Sequence, residues 1–133
     1  MQREFNVKFI VEGECEGEVT VIEEPVSPLG EINASEGTVR KGSREYFIKD
    51  KILVYPYTIG STVGSYVIYS LKYYGKNPKA IVVLKPDPIL IAGCVLADIP
   101  LAQVYSEDFI RIAKQYRHAK LECKGVYGRI ILW

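Results

Sequence analysis

The chain has no excess of either charge. Lys and Arg number 17 against 16 Asp and Glu, a formal net charge of +1. That balance provides no electrostatic footprint for nucleic acid or for an anionic membrane surface. Histidine is nearly absent. His118 is the only one; it follows a helical pattern beside Arg117 and reads as a solvated side chain near a helix end. A phosphohistidine-type swivelling domain needs a histidine poised at a helix N-terminus, so this placement argues against one. Cysteine is scarce too. Cys15, Cys94 and Cys123 lie far apart, and an odd, widely spaced set offers neither a disulfide framework nor a zinc motif. Cys94 falls in an apolar helical pattern, and Cys15 and Cys123 fall in strand-like segments. All three read as buried free thiols. No apolar run reaches membrane-spanning length: the longest, Pro88 to Leu96, contains Gly93 and ends before Asp98. Met1 to Lys8 alternates polar and apolar residues, as a strand does and a signal peptide does not. The expectation is a cytoplasmic protein with no nucleic-acid or membrane partner. No internal repeat or low-complexity stretch is present.

What is there suits a globular domain. With 133 residues, 48% hydrophobic and 25% charged, the chain is expected to form one domain over 1–133 with a sizeable core. Phe5, Val7, Phe9 and Val11 alternate with polar neighbours, which predicts a half-buried strand. Gly13 to Gly17 reads as a turn, Glu18 to Ile22 as a second strand, and the Pro-, Gly- and Ser-rich segment Pro25 to Gly42 as a long ordered loop. Glu45 to Ile48 and Ile52 to Tyr55 read as further strands. The second half alternates: an apolar strand Ala80 to Leu84, a helix from Pro88 to about Ala97, a strand Leu101 to Val104, and a helix from Glu107 to about Tyr116 with Ser106 as its N-cap. A hairpin, Lys120 to Cys123 with Arg129 to Leu132, closes the chain. Alternating strands and helices favour parallel pairing, and ligands collect at the carboxyl ends of such strands.

One junction stands out. After Ile52-Leu53-Val54-Tyr55 and the stop at Pro56 comes Gly60-Ser61-Thr62-Val63-Gly64-Ser65, followed by Val63, Val67, Leu71 and Tyr74 at helical spacing; Gly75 and Pro78 end the pattern. A strand, a Gly/Ser loop and a helix in that order bring free backbone N–H groups, the positive helix end and two hydroxyls to one place. The loop is neither a P-loop nor a nucleophile elbow: no Lys follows the second glycine, and no Ser is centred between the glycines. On its own Ser61 reads as a helix N-cap. Asp87, between two prolines, reads likewise as a cap. The tyrosines at 55, 57, 66, 69, 73 and 74 point to packing or a protein interface.

Taken together, Gly17-Glu18-Val19, Pro25-Val26-Ser27-Pro28-Leu29-Gly30, Lys51-Ile52-Leu53-Val54-Tyr55-Pro56, Gly60 to Val67, Pro78-Lys79-Ala80-Ile81 and Ala92-Gly93 resemble, in that order, the small swivel-domain subunits of the aconitase X family, archaeal phosphomevalonate dehydratases among them. The likeness runs from about Gly13 to Val104. It implies an α/β fold, a swivelling β/β/α domain like the mobile domain of aconitase. It implies an obligate larger subunit that holds a four-iron four-sulfur cluster on its own cysteines. It implies dehydration of (R)-5-phosphomevalonate, a phosphorylated hydroxy acid, to trans-anhydromevalonate 5-phosphate in the archaeal modified mevalonate pathway. In such a subunit the proton acceptor is Ser61, and Gly60, Thr62, Gly64 and Ser65 surround the substrate. Two other functions fit the same loop: a related dehydratase acting on another hydroxy acid, and a non-catalytic module holding a phosphate or carboxylate.

Overall fold

The computed structural model describes all residues, Met1–Trp133. In chain order the elements are β1 (Arg3–Val11), β2 (Cys15–Val21), α1 (Pro28–Glu31), β3 (Ile32–Asn33), β4 (Thr38–Lys41), β5 (Arg44–Phe47), β6 (Ile52–Val54), α2 (Gly64–Tyr73), β7 (Ala80–Val83), α3 (Pro88–Ala97), β8 (Leu101–Gln103), α4 (Phe109–Ala113), β9 (His118–Lys124) and β10 (Tyr127–Leu132). Seven strands close into a barrel in the order β1-β10-β9-β2-β6-β7-β8. The run β2-β6-β7-β8 is parallel, as the alternation predicts. β1 closes the ring by pairing antiparallel with both β8 and β10.

Side-chain alternation divides the apolar residues between two cores. On one side of the strands, Val7, Phe9, Ile52, Val54, Val82, Leu121 and Ile130 form a cluster with Phe109, Ile110 and Ala113 of α4. The alternate positions Leu53, Tyr55, Ile81, Val83 and Leu101 face α2 and α3, packing on Ile68, Leu71, Leu90 and Cys94. Strands buried on both faces read as continuous apolar runs, and this is why Ile52-Leu53-Val54 and Ala80-Ile81-Val82-Val83 show no alternation. Each fully buried Leu or Ile contributes roughly 1.5–3 kcal/mol of transfer free energy.

Helix ends follow from local chemistry. Asp87 caps α3, its carboxylate accepting from the Leu90 N–H at 3.0 Å, with Pro88 in the first turn. α2 ends in a Schellman turn: the Lys76 N–H reaches the Leu71 carbonyl and the Gly75 N–H the Lys72 carbonyl, with Gly75 at φ +69°. No helix is long and apolar enough to cross a membrane.

Four expectations need correction. Pro25 to Gly42 is not one loop: it holds α1 and two strands of a small sheet, β3-β4-β5. These elements are two to four residues long, too short for periodicity to register. β2 already starts at Cys15, inside the expected turn. The 107–116 helix shrinks to Phe109–Ala113 and has no side-chain cap; Ser106 takes part only through its carbonyl, which accepts from the Phe109 N–H. Of the thiols only Cys94 is buried; Cys15 and Cys123 are half-buried.

Candidate functional site

The chain leaves β6 pinned on both sides. Tyr55 is buried, and its hydroxyl shares a 2.7 Å hydrogen bond with Thr58. Burial pushes its ionisation far above the ordinary phenol range, so it stays a neutral strut. The Pro56 carbonyl accepts from the Leu84 and Lys85 N–H groups. Thr58 bridges to Val26; the Val26 N–H bonds the Tyr57 carbonyl, and the Ile59 N–H bonds the Val26 carbonyl. The segment before α1 therefore runs beside the segment before α2.

Gly60 then turns the chain at φ +107°, a region closed to side chains. Ser61, Thr62 and Val63 are exposed. α2 starts at Gly64, with Val63 at the N-cap position and no side-chain cap. Ser61 is thus not the N-cap. Its Oγ accepts a long 3.3 Å bond from the Val63 N–H, and its carbonyl accepts from the Gly64 N–H at 2.9 Å, a tight turn ahead of the helix. The Ser65 hydroxyl donates to the Thr62 carbonyl at 3.2 Å. Gly64 lies buried where a Cβ would meet Ile89 at 3.1 Å and Pro28 at 3.3 Å. Gly60, Ser61 and Thr62 keep their backbone N–H groups free: none has an acceptor anywhere in the chain. Three consecutive free donors beside an exposed hydroxyl, at the start of a helix, make a donor-rich lip suited to negative charge. Around it Leu29, Ile59, Val63 and Tyr66 are exposed.

The structure brings all five predicted loop residues together and leaves the other candidates outside. Asp87 is committed to capping α3. His118 pairs with Glu18, one step along β2 from the Val19 that pairs with Ile52. It therefore lies by the start of β6, whereas the loop follows the end of that strand. Its ring stacks on Trp133 at 5.9 Å. No group of three His, Cys, Asp or Glu side chains converges. Burial pushes the Cys94 thiol up to about 12 and the Cys15 thiol up to about 11.

Sequence reading missed the support beneath α1. The Glu31 carboxylate accepts from the Ser27 N–H at 2.8 Å and pairs with Lys41 at 2.7 Å, and the Lys41 ammonium also donates to the Pro25 carbonyl at 2.9 Å. Burial pushes the Glu31 carboxyl upward, but the Lys41 and Ser27 donors outweigh it and hold it below its ordinary 4.5. A depressed carboxyl stabilises the fold fully above its ordinary value, and that stability fades as pH falls through the lower folded value. For this partly solvated pair the contribution is about 1 kcal/mol at neutral pH. The expected result is that Glu31→Gln melts below wild type at pH 7 and that the gap narrows as pH falls below 4.5, followed by calorimetry across that range. A gap that does not change with pH would refute the carboxylate's role.

Comparison with known proteins agrees with this architecture. The fold is a mixed α/β swivel domain. The family model described as aconitase X swivel domain matches residues 4–127, and the chain belongs to that family. It is 38% identical over 116 residues, 85% of each chain, to the phosphomevalonate dehydratase small subunit of Methanococcoides burtonii. It is 44% identical over 124 residues, 91% of this chain and 92% of the other, to the protein of the same name from Thermococcus onnurineus. The crystal structure of Thermococcus kodakaraensis aconitase X in its holo form superposes with a TM-score of 0.81 at 34% identity, covering 98% of both chains.

Proposed function

We propose that this chain, acting over 1–133 as one swivel unit, is the small subunit of a cytoplasmic hydro-lyase. It would dehydrate (R)-5-phosphomevalonate to trans-anhydromevalonate 5-phosphate, and only when closed onto a larger subunit. The observation that carries the reading is the exposed Ser61 hydroxyl beside three unpartnered N–H groups, in a chain whose relatives are named for this dehydratase. Ser61 Oγ takes the proton alpha to the substrate carboxylate. The C–H electron pair becomes the new double bond, and the hydroxyl on the neighbouring carbon leaves as hydroxide with its C–O electron pair; the proton taken up at Ser61 is given back to it, so that one water is released and Ser61 is reset. The free N–H groups of Gly60, Ser61 and Thr62 stabilise negative oxygen at this lip, Gly64 lets α2 start close against Pro28 and Ile89, and Ser65 adds a hydroxyl for binding. The reading implies a four-iron four-sulfur cluster held by the larger subunit on its own cysteines, and three scattered thiols in this chain are in keeping with it. The apolar rim of Leu29, Ile59, Val63 and Tyr66 supports a second polypeptide as the cover that excludes water.

The test is reconstitution. The chain alone is expected to be inactive, and the chain with a co-purifying, cysteine-rich larger subunit is expected to turn over phosphomevalonate. An assembled complex that leaves phosphomevalonate untouched but dehydrates another hydroxy acid selects the related-dehydratase reading. A stable monomer that binds phosphate and has no large partner selects the anion-binding module.

A further inference from the structure

Ser27 is the second hydroxyl at this lip. Its backbone is fully used: its N–H goes to the Glu31 carboxylate and its carbonyl accepts from the Glu31 N–H at 2.9 Å. The neighbouring Val26 is bridged to Thr58. Its hydroxyl is not used at all. It makes no cap bond to α1, and no donor or acceptor in the chain pairs with it. The hydroxyl instead lies over Gly60: a Cβ built there would fall 2.9 Å from Ser27 Oγ. Gly60 is required by its φ of +107°, and the short distance records how near the Ser27 side chain lies. The approach sets the Ser27 hydroxyl over Gly60, the residue before Ser61 and the first of the three with a free N–H group.

Ser27 is half-buried, and its hydroxyl, which no group of the chain uses, is open to an anionic acceptor beside these free backbone donors. The one carboxylate close by, Glu31, is already tied to Lys41 and the Ser27 N–H, so nothing in the chain competes. From this geometry we infer that Ser27 donates its hydroxyl to an anionic oxygen of the substrate, across Gly60 from Ser61. The inference rests on the reading that the Gly60–Ser65 loop is the substrate site. It assigns Ser27 to binding and leaves proton transfer to Ser61. The anionic oxygen belongs to a carboxylate or a phosphate, and the experiment separates the two.

In the complex with the larger subunit, Ser27→Ala is expected to raise KM about tenfold to a hundredfold, the size of a lost hydrogen bond to a charged group, with kcat within about threefold. Ser27→Thr keeps the hydroxyl on an extended backbone of φ −101° and ψ 104° and is expected to restore KM. Titration calorimetry of the same complexes with inorganic phosphate and with acetate reads binding directly. Weaker phosphate binding by Ser27→Ala assigns the phosphoryl group, and weaker acetate binding assigns the carboxylate. Unchanged KM together with unchanged binding of both anions overturns the inference, and so does a fall confined to kcat. If Ser61→Ala still silences the enzyme in that case, the proposed function survives without Ser27. If instead the wild-type complex never dehydrates phosphomevalonate, the functional reading fails and the anion titrations alone decide on Ser27.

Discussion

Ser61→Ala in the reconstituted complex is expected to lower kcat by about 10²- to 10⁴-fold, the range of a positioned general base, while the subunits still assemble. The size follows from what the lip has to do. A serine hydroxyl sits many pK units above neutrality, and each unit costs about 1.36 kcal/mol. The α2 dipole supplies roughly 0.3–2 kcal/mol, far too little. Hydrogen bonds to a charged oxygen contribute about 1.5–3 kcal/mol each. If all three free N–H groups of Gly60, Ser61 and Thr62 met the same oxygen, they would supply roughly 4.5–9 kcal/mol, or about three to seven pK units. That still falls short of neutrality, and on the proposed reading the remainder has to come from a dry, charged surface across the lip. The hydroxyl is exposed, so its removal disturbs no packing and the variant isolates the chemistry. Turnover unchanged in Ser61→Ala, at full cluster content, would remove this residue from the mechanism.

The second large effect concerns stability. Gly93→Val is expected to cost about 3 kcal/mol or more and to lower Tm by roughly 10 °C in a domain of this size. Gly93 lies in the middle of α3 and is buried. A Cβ there would meet Ile68 Cβ at 2.7 Å and its Cγ2 at 2.9 Å. Ile68 is itself fully buried on α2, and its Cβ is fixed to the backbone, so no rotamer change relieves the contact and the helices have to part. Alanine at the same place would recover about 1 kcal/mol of helix propensity, leaving a smaller net loss. Valine adds two methyls and forgoes most of that gain. Gly93→Ala should melt between wild type and Gly93→Val, which thermal melts of the three proteins would show. Equal melting temperatures for wild type and Gly93→Val would mean that the helices do not meet at this point. Because α2 opens at the Ser61 loop, the same displacement should also reduce turnover.

Long apolar or strongly punctuated segments were legible in the sequence. β6, β7 and α3 appear where Ile52, Ala80 and Pro88 predict them, because a strand buried on both faces and a helix flanked by Asp87 on one side and by Asp98 and Pro100 on the other carry their own signals. The Gly/Ser loop was legible as a strand-to-helix junction. What it does locally was not, since Ser61 reads as a cap and the turn places Val63 there instead. The barrel's closure was also hidden. It depends on β1 pairing with β8 and β10, partners ninety or more positions away, and periodicity within a window says nothing about such pairs. Ser27 shows the same limit at the site: the residue was visible in the Pro25–Gly30 run, but its position over Gly60 is a tertiary fact set by the Val26 bridge and the Glu31–Lys41 pair.

The ring of seven strands has one further consequence. Every one of its strands has a neighbour on both sides, so the ring offers no open edge onto which a foreign strand could zip. A protein that docks on the ring itself therefore has to grip it by side chains and loops. Such a grip can be released and remade without tearing any ladder of the ring. That is the mechanical requirement for a lid that opens between one substrate molecule and the next.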